Sequence, residues 1–351
     1  TMISRIIFNK KISFAVSSLV YTTYKRRPVV YYLQNLQKKL LLPVIAVITF
    51  LTFFAPYVCA YQVTPLLHLF DIEHGFHQPS DVAVGKDYRI YVLDGVNHSV
   101  KVFDGRGAFL FRFGGKGSAK GLFNYPLGIT IDKRGRVFVA DTGNNRGQVF
   151  TPHGKFISLF PITSEAGEKA SDPVDLALDE RRKKLYVVDN DNHHVLVYSL
   201  DGFNLLARWG TEGEGRQELR YPFFITVGKD TSVFVVDVLN TRVQVWSPQG
   251  EAVGTIGEWG VDLGQLYRPK GVCVDKDNQV YVSDSYLGVI QIFNRYGHFK
   301  SVLGTEEGEV MKWKTPVGIT IDDRQRLYVV EMLSNRVRVY EILNKKIERK
   351  E

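Results

Sequence analysis

Two aspartates and three histidines are the side chains that could bind a ligand or a metal ion. Asp81 and Asp175 each lie two residues after a proline in similar segments, and His77, His98 and His193 lie in polar segments around them. Carboxylates and imidazoles are common protein ligands of zinc, and carboxylates also bind calcium. These five residues are therefore the candidates for a binding site at the channel mouth, with Asp81 and Asp175 as the ligands of any calcium or zinc ion.

The same position in the related segments of the chain argues against a metal ion. It is occupied there by residues that offer no side-chain ligand: Gly128, Phe224, Gly271 and Gly318. Protein zinc sites gather three or four ligands. The favoured interpretation is therefore that the aspartates and histidines are solvated or cap turns, without a cofactor.

The chain lacks the common motifs of a catalytic nucleophile or a metalloprotease. Neither G-x-S-x-G nor H-E-x-x-H occurs, and Cys59 and Cys273 form no C-x-x-C pair. Residues 114–117 (GGKG) resemble a phosphate loop, but they lack its spacing and its following helix. These absences favour a protein that is not an enzyme. They do not exclude the binding of a small-molecule ligand.

A unit of the sequence occurs six times. The units begin at prolines spaced 47, 47, 49, 47 and 47 residues apart: Pro79, Pro126, Pro173, Pro222, Pro269 and Pro316. An acidic residue recurs at the same place in each unit: Asp94, Asp141, Asp189, Asp237, Asp284 and Glu331. Because it recurs once per unit, we expect a structural role, the bonding of backbone N–H groups at the turn between the second and third strands.

Each of the first five units contains four short runs in which apolar and polar residues alternate, with turn residues between them. In the second unit these runs are GITID, RVFVAD, GQVFTP and KFISLF. Six units of this period predict an all-β fold, a six-bladed β-propeller of four-stranded antiparallel blades. In that fold the loops between blades share one face with the turns after the second strands. We expect this face to carry Asp81, Asp175 and five histidines: His74, His77, His98, His193 and His194.

The two ends of the repeated region predict how the ring closes. The sixth unit ends near Glu341 with only three strands, and an unpaired strand-like segment (TPLLHLF, residues 64–70) precedes the first unit. We expect this N-terminal strand to complete the last blade, which would remove an open sheet edge. The propeller then covers residues 61–344, and residues 345–351 form a charged tail.

A hydrophobic segment precedes the propeller. Residues 40–60 carry no charge and have the length of one transmembrane helix. Positively charged flanks stay in the cytoplasm, so we expect the basic leader, residues 1–39, on the cytoplasmic side. The propeller then lies outside the cytoplasm, in the periplasm if the source is a Gram-negative bacterium. A cleaved signal segment ending near Ala60 is the alternative.

The charge distribution excludes a broad nucleic-acid-binding surface. Residues 1–60 hold eight of the 45 basic residues and no acidic residue, so residues 61–351 hold 37 residues of each sign. Nucleic-acid binding needs a basic face that neutralises phosphates. The expected partners are therefore proteins, with Trp259 and Trp313 as possible anchors, and the membrane through residues 40–60.

The repeats resemble those of the NHL family, and the second repeat matches best, with Pro126, Gly128, Asp132, Asp141 and Arg146. The resemblance covers residues 64–344 and implies a six-bladed propeller of bacterial, membrane-anchored type. It most often implies a non-catalytic scaffold that binds proteins. The alternative that it implies is a metal-dependent lyase- or lactonase-like enzyme with its site at the channel mouth, since fold alone does not decide function.

Overall fold

The repeats fold into four-stranded antiparallel sheets. A computed structural model describes residues 61–343, apart from 163, 166 and 168, and the backbone of residues 347–349. The described chain consists of β-strands and the turns and loops that join them. Its first strand is β1 (Tyr61–Ile72), and its helical segments are two 3-10 turns, Thr142–Asn144 and Met332–Ser334.

The first three repeats form three separate sheets whose strands follow sequence order. The first sheet contains β2 (Asp81–Val84), β3 (Ile90–Asp94), β4 (Ser99–Phe103) and β5 (Phe109–Gly114). The second contains β6 (Gly128–Ile131), β7 (Val137–Asp141), β8 (Arg146–Phe150) and β9 (Phe156–Pro161). The third contains β10 (Pro173–Asp179), β11 (Lys184–Asp189), β12 (His194–Ser199) and β13 (Leu205–Trp209).

The remaining repeats keep the same order. The fourth sheet contains β14 (Pro222–Val227), β15 (Val233–Asp237), β16 (Arg242–Trp246) and β17 (Ala252–Ile256). The fifth repeat supplies β18 (Pro269–Val274), β19 (Val280–Asp284), β20 (Val289–Phe293) and β21 (Phe299–Gly304). The sixth supplies β22 (Pro316–Ile321), β23 (Arg326–Glu331) and β24 (Arg336–Ile342), and β25 (Ile347–Arg349) follows.

The N-terminal strand β1 completes the sixth repeat, as the sequence predicts. Residues 66–72 of β1 pair antiparallel with β24, with a bulge between His68 and Phe70. Residues 63–65 also pair with β21 of the fifth repeat, in parallel, which the repeat pattern does not predict. Residues 61–63 pair with β25, so part of the predicted tail extends the sheet. One strand therefore joins the fifth repeat, the sixth repeat and the C-terminal segment in a nine-stranded sheet.

The apolar core lies between neighbouring sheets. Adjacent residues of a strand face opposite sides, so Tyr91 packs with Val139 of the second repeat, whereas Ile90 packs with Val330 of the sixth. Equivalent apolar clusters fill the other junctions between sheets. The second strands are buried along nearly their whole length, and they are mostly apolar up to the acidic residue that ends them, because they contact a sheet on each side.

The predicted leader (residues 1–39) and the predicted anchor or signal segment (residues 40–60) lie outside the described residues, as does the charged tail except for β25. Within the part of the chain that the structure describes, no helix has the length and hydropathy that a membrane crossing requires.

Two adjacent leucines of β1 test how much this strand contributes to stability. Leu66 is 3% exposed and packs in the junction between the fifth and sixth repeats, whereas Leu67 is 42% exposed. We expect Leu66→Asp to lower the free energy of unfolding of the full chain by about 3 kcal/mol or more, because it buries an unpaired charge. Leu67→Asp is the matched control and should change it by less than about 1 kcal/mol. Denaturation followed by circular dichroism measures both, and equal losses would contradict the closure role of β1.

Candidate functional site

A central cavity lies where the first strands of the repeats meet. These strands contact one another in sequence order, and β22 contacts β2. The cavity has a volume of about 250 Å³, and its lining includes Asp81, Asp175 and Glu180 but no lysine or arginine. The structure thus brings the two predicted aspartates, which belong to different repeats, to one acidic cavity.

Both aspartates join neighbouring repeats through hydrogen bonds. Asp81 accepts the backbone N–H of Val82 at Oδ1 (2.8 Å) and that of Ile129 in the second repeat at Oδ2 (3.0 Å). Asp175 accepts the backbone N–H of Ile225 in the fourth repeat at Oδ2 (2.9 Å). Each carboxylate therefore links its own first strand to the first strand of the following repeat.

Glycines of the preceding repeats make room for these carboxylates. A Cβ atom on Gly318 would lie 2.4 Å from Asp81 Oδ1, and a Cβ atom on Gly128 would lie 2.4 Å from Asp175 Oδ1. Both distances are shorter than any ordinary contact. The glycines that the sequence places opposite the aspartates are thus their packing partners.

Burial keeps both carboxyls from ionising easily. It raises the pKa of Asp81 to about 8, although the N–H groups of Ile129 and Val82 favour the charged form. Burial also raises the pKa of Asp175 well above its ordinary value, and the charge of Asp81 raises it further. Two like charges in one cavity are costly, so this pair favours at least one proton at neutral pH.

The structure uses two of the predicted histidines at junctions between repeats. His98 Nδ1 accepts the backbone N–H of Tyr125, and His193 Nδ1 accepts that of Tyr221, each at 3.0 Å. Both histidines are buried, and burial lowers the pKa of both imidazoles. A ring nitrogen that accepts an N–H carries no proton, so both rings are neutral.

The other histidines of this face serve different contacts. His77 is exposed, and its backbone N–H, not its ring, is bonded to Asp94. The His74 ring stacks on Phe109 at 4.1 Å between centroids, and His194 Nδ1 lies 3.0 Å from the carbonyl oxygen of Gly210. None of these contacts directs an imidazole to the aspartate pair.

The recurring acidic residues bind the segment that joins two repeats, here called the link. In every repeat one carboxylate oxygen accepts a link N–H from 17 residues earlier, at 2.7–2.9 Å. The sequence predicted bonds to the turn after the second strand. Among the six, Asp284 also makes those bonds, to Tyr286 and Leu287. The partner differs because the ring places the preceding link over the end of each second strand.

Basic residues extend this network. Arg146 Nε lies 2.7 Å from Asp141, and its guanidinium donates to the link carbonyls of Ser118, Ala119 and Leu122. Arg242 repeats the pattern with Asp237 in the fourth repeat. The Asp-x-x-Asn-x-Arg pattern therefore holds the link in place through hydrogen bonds to its backbone.

The described residues do not fit a metal ion. No group of three or more histidine, cysteine, aspartate or glutamate side chains in this part of the chain could hold one. Asp81 and Asp175 already accept backbone N–H groups, and the rings of His98 and His193 bond the neighbouring repeats.

The face of the links also carries exposed apolar side chains. Of the two tryptophans that the sequence analysis named as anchors, Trp259 is 71% exposed, whereas Trp313 is buried and donates its indole N–H to Tyr340 Oη. Other exposed residues of the links and turns are Leu239, Val261, Tyr286 and Leu333. The sequence places these residues in loops, which was the only indication of their exposure. Whether a loop residue is exposed depends on how the loop folds.

The raised pKa of Asp81 predicts a pH dependence of stability. The pKa of this carboxyl is near 3.8 in the unfolded chain and about 8 in the folded one. The folded state binds more protons between these values, so this group's contribution to stability falls as the pH rises from about 4 to about 8. Asp81→Asn should flatten that slope in denaturation series across this range. Asp323→Asn, at an exposed turn of the sixth repeat, is the control and should keep that slope; equal slopes in both variants would refute the assignment.

Comparison with known proteins agrees with this architecture. The NHL repeat model matches residues 76–103, 123–150 and 266–293. Virginiamycin B lyase of Staphylococcus aureus is 13% identical (TM-score 0.56), and the match covers 80% of this chain and 100% of that one. A gluconolactonase of Xanthomonas campestris is 15% identical (TM-score 0.59; 79% and 89% covered). A Bacteroides thetaiotaomicron protein of unknown function is 16% identical (TM-score 0.59; 81% and 76%). No curated protein matches. The chain thus contains NHL repeats and has the fold of β-propeller proteins.

Proposed function

We propose that the chain is a non-catalytic interaction module whose protein partner docks on the face formed by the links. The observation that carries this proposal is the exposure of Trp259 in the link between the fourth and fifth repeats. A rigid ring that displays loops loses little conformational entropy on binding.

Three links share one backbone fold and differ in the side chain at the tip. Lys116, Glu212 and Trp259 occupy equivalent positions, since each forms a parallel bridge to the residue seven positions later. Each is followed by a glycine with φ between 153° and 158°: Gly117, Gly213 and Gly260. Because a lysine, a glutamate and a tryptophan support the same backbone, the loop does not need the indole.

The Trp259 indole therefore requires another explanation. Tryptophan and tyrosine are enriched at the centres of protein interfaces, because they bury a large area with few rotatable bonds. Tyr286 in the turn of the fifth repeat is 63% exposed, and Leu239 in the turn of the fourth is 52% exposed. Together with Trp259 they would supply the apolar centre of a docking surface.

The polar groups of the face support a non-catalytic role. The carboxylates of Asp81 and Asp175 and the rings of His98 and His193 bond neighbouring repeats. Such bonds hold these side chains in one position and give each of them a role within the ring. The enzymatic alternative depends on these same residues, so the proposal and the alternative differ in where a ligand should bind.

We further infer that the ring has six blades and that residues 40–60 tether it to a membrane, with the ring on the extracytoplasmic side. The repeat period and the closed order of first strands support the blade number. The uncharged segment and its basic flank support the tether. A partner would then be a protein of the same compartment.

Site-specific photo-cross-linking in cells tests the docking surface. A photoreactive phenylalanine analogue replaces Trp259 in the full chain, and we expect a discrete adduct of defined mass. The equivalent positions Lys116 and Glu212 map the extent of the surface. Tyr296, which is 68% exposed in the turn between the third and fourth strands, is the control away from this face.

The same experiment needs evidence that the ring stays folded. Trp259→Ala should leave the melting temperature of the full chain unchanged within about 2 °C, because an exposed residue contributes little to stability. The docking proposal fails if position 259 gives no adduct, or if position 296 gives the same adduct in equal yield.

A further inference from the structure

Lys270 is a charged residue at a position that is uncharged in the other repeats. It is the second residue of β18, at the end of the strand that adjoins the face of the links. The equivalent residues elsewhere are small or apolar: Ser80, Leu127, Val174, Phe223 and Val317. A half-buried lysine among such residues has a desolvation cost that packing alone does not explain.

The Lys270 ammonium has an aromatic neighbour but no anionic one. Its Nζ lies 4.2 Å from the centroid of the Phe223 ring, across the junction between the fourth and fifth repeats. In the described part of the chain, no carboxylate or carbonyl oxygen accepts a hydrogen bond from it. A cation–π contact offsets only part of the cost of burying a charge.

A second cation lies two residues before the first in the chain. Arg268 is exposed, and among the described residues its guanidinium also has no carboxylate partner. Burial lowers the pKa of Lys270, and the charge of Arg268 lowers it further. The local charge is therefore positive in a ring whose central cavity is acidic.

The acidic residue near these cations does not neutralise them. Asp284 is fully buried and accepts four backbone N–H groups, two from Tyr267 and Arg268 and two from Tyr286 and Leu287. Those bonds occupy both carboxylate oxygens. Lys270 and Arg268 are thus left with side-chain donors that an external anion could use.

We propose that Lys270, Arg268 and Phe223 form a binding site for a carboxylate that is attached to an aromatic or other apolar group. The ammonium and the guanidinium bind the carboxylate, since charge-assisted hydrogen bonds of this kind are the strong ones. The Phe223 ring covers the adjoining apolar part. Two sources supply this chemistry: a free aromatic acid, and the C-terminal residue of a polypeptide. The inference does not depend on the docking surface around Trp259.

Calorimetric titration of the full chain with paired probes tests the site. Benzoate represents the free acid and benzamide is its neutral control; Gly-Gly-Phe with a free carboxyl represents a C-terminus, and its amide is the control. We expect at least one acid to bind with a Kd of about 1 mM or lower, and both amides to bind at least about tenfold more weakly. Binding of the peptide acid alone would assign the site to a polypeptide C-terminus, and binding of benzoate to free acids.

Two variants connect the binding to these residues. Lys270→Met keeps the length of the side chain and its contact with Phe223 but removes the charge, so acid binding should weaken about tenfold or more. Arg268→Gln should also weaken acid binding, and it leaves Lys270 unchanged. Lys276→Met is the matched control, because Lys276 is an exposed lysine in the turn after β18; it should bind as the parent does. The proposal is overturned if acids and amides bind equally, if no acid binds at about 10 mM, or if Lys270→Met and Arg268→Gln bind the acids as the parent does.

Discussion

The structure depends on a buried acidic residue at the end of each second strand that holds the preceding link. Each carboxylate is buried and bonds a backbone N–H from 17 residues earlier. An unpaired backbone N–H at a buried position costs free energy, so this bond fixes where the link crosses the sheet. Because the link also leads into the first strand of the next sheet, the same bond orients the neighbouring repeat. Arg146 and Arg242 strengthen it by bonding link carbonyls.

The same requirement explains the centre of the ring. The first strands lie close together, and Gly128 and Gly318 leave space for the aspartates of the next repeats. Asp81 and Asp175 then accept N–H groups from the following first strands. The residues that most resemble a catalytic or metal site are consequently part of the ring's own hydrogen bonding. Their raised pKa values follow from burial between sheets and are no sign of catalysis by themselves.

Features that the ring does not need are the ones that point to function. The link tip accepts lysine, glutamate or tryptophan on one backbone, which makes the exposed Trp259 indole a candidate for partner binding. Lys270 replaces an uncharged residue beside Phe223 and has no anion within the described chain. The exposed indole costs solubility, and the buried charge costs stability that the contact with Phe223 offsets only in part. Natural sequences accept such costs mainly at functional positions.

The sequence by itself determined the repeat, its four strands, the completion of the last repeat by β1 and the structural role of the recurring acids, because these follow from local alternation, turn residues and period. It did not determine that β1 also pairs with β21, that the acids bond the link, or that His98 and His193 accept N–H groups from Tyr125 and Tyr221. Nor did it distinguish the exposed Trp259 from the buried Trp313. Only the tertiary structure decided these points, because each depends on the distance between residues of different repeats. The pattern of neighbouring residues in the sequence does not contain that distance. The closure and twist of the ring determine how far apart residues of different repeats lie.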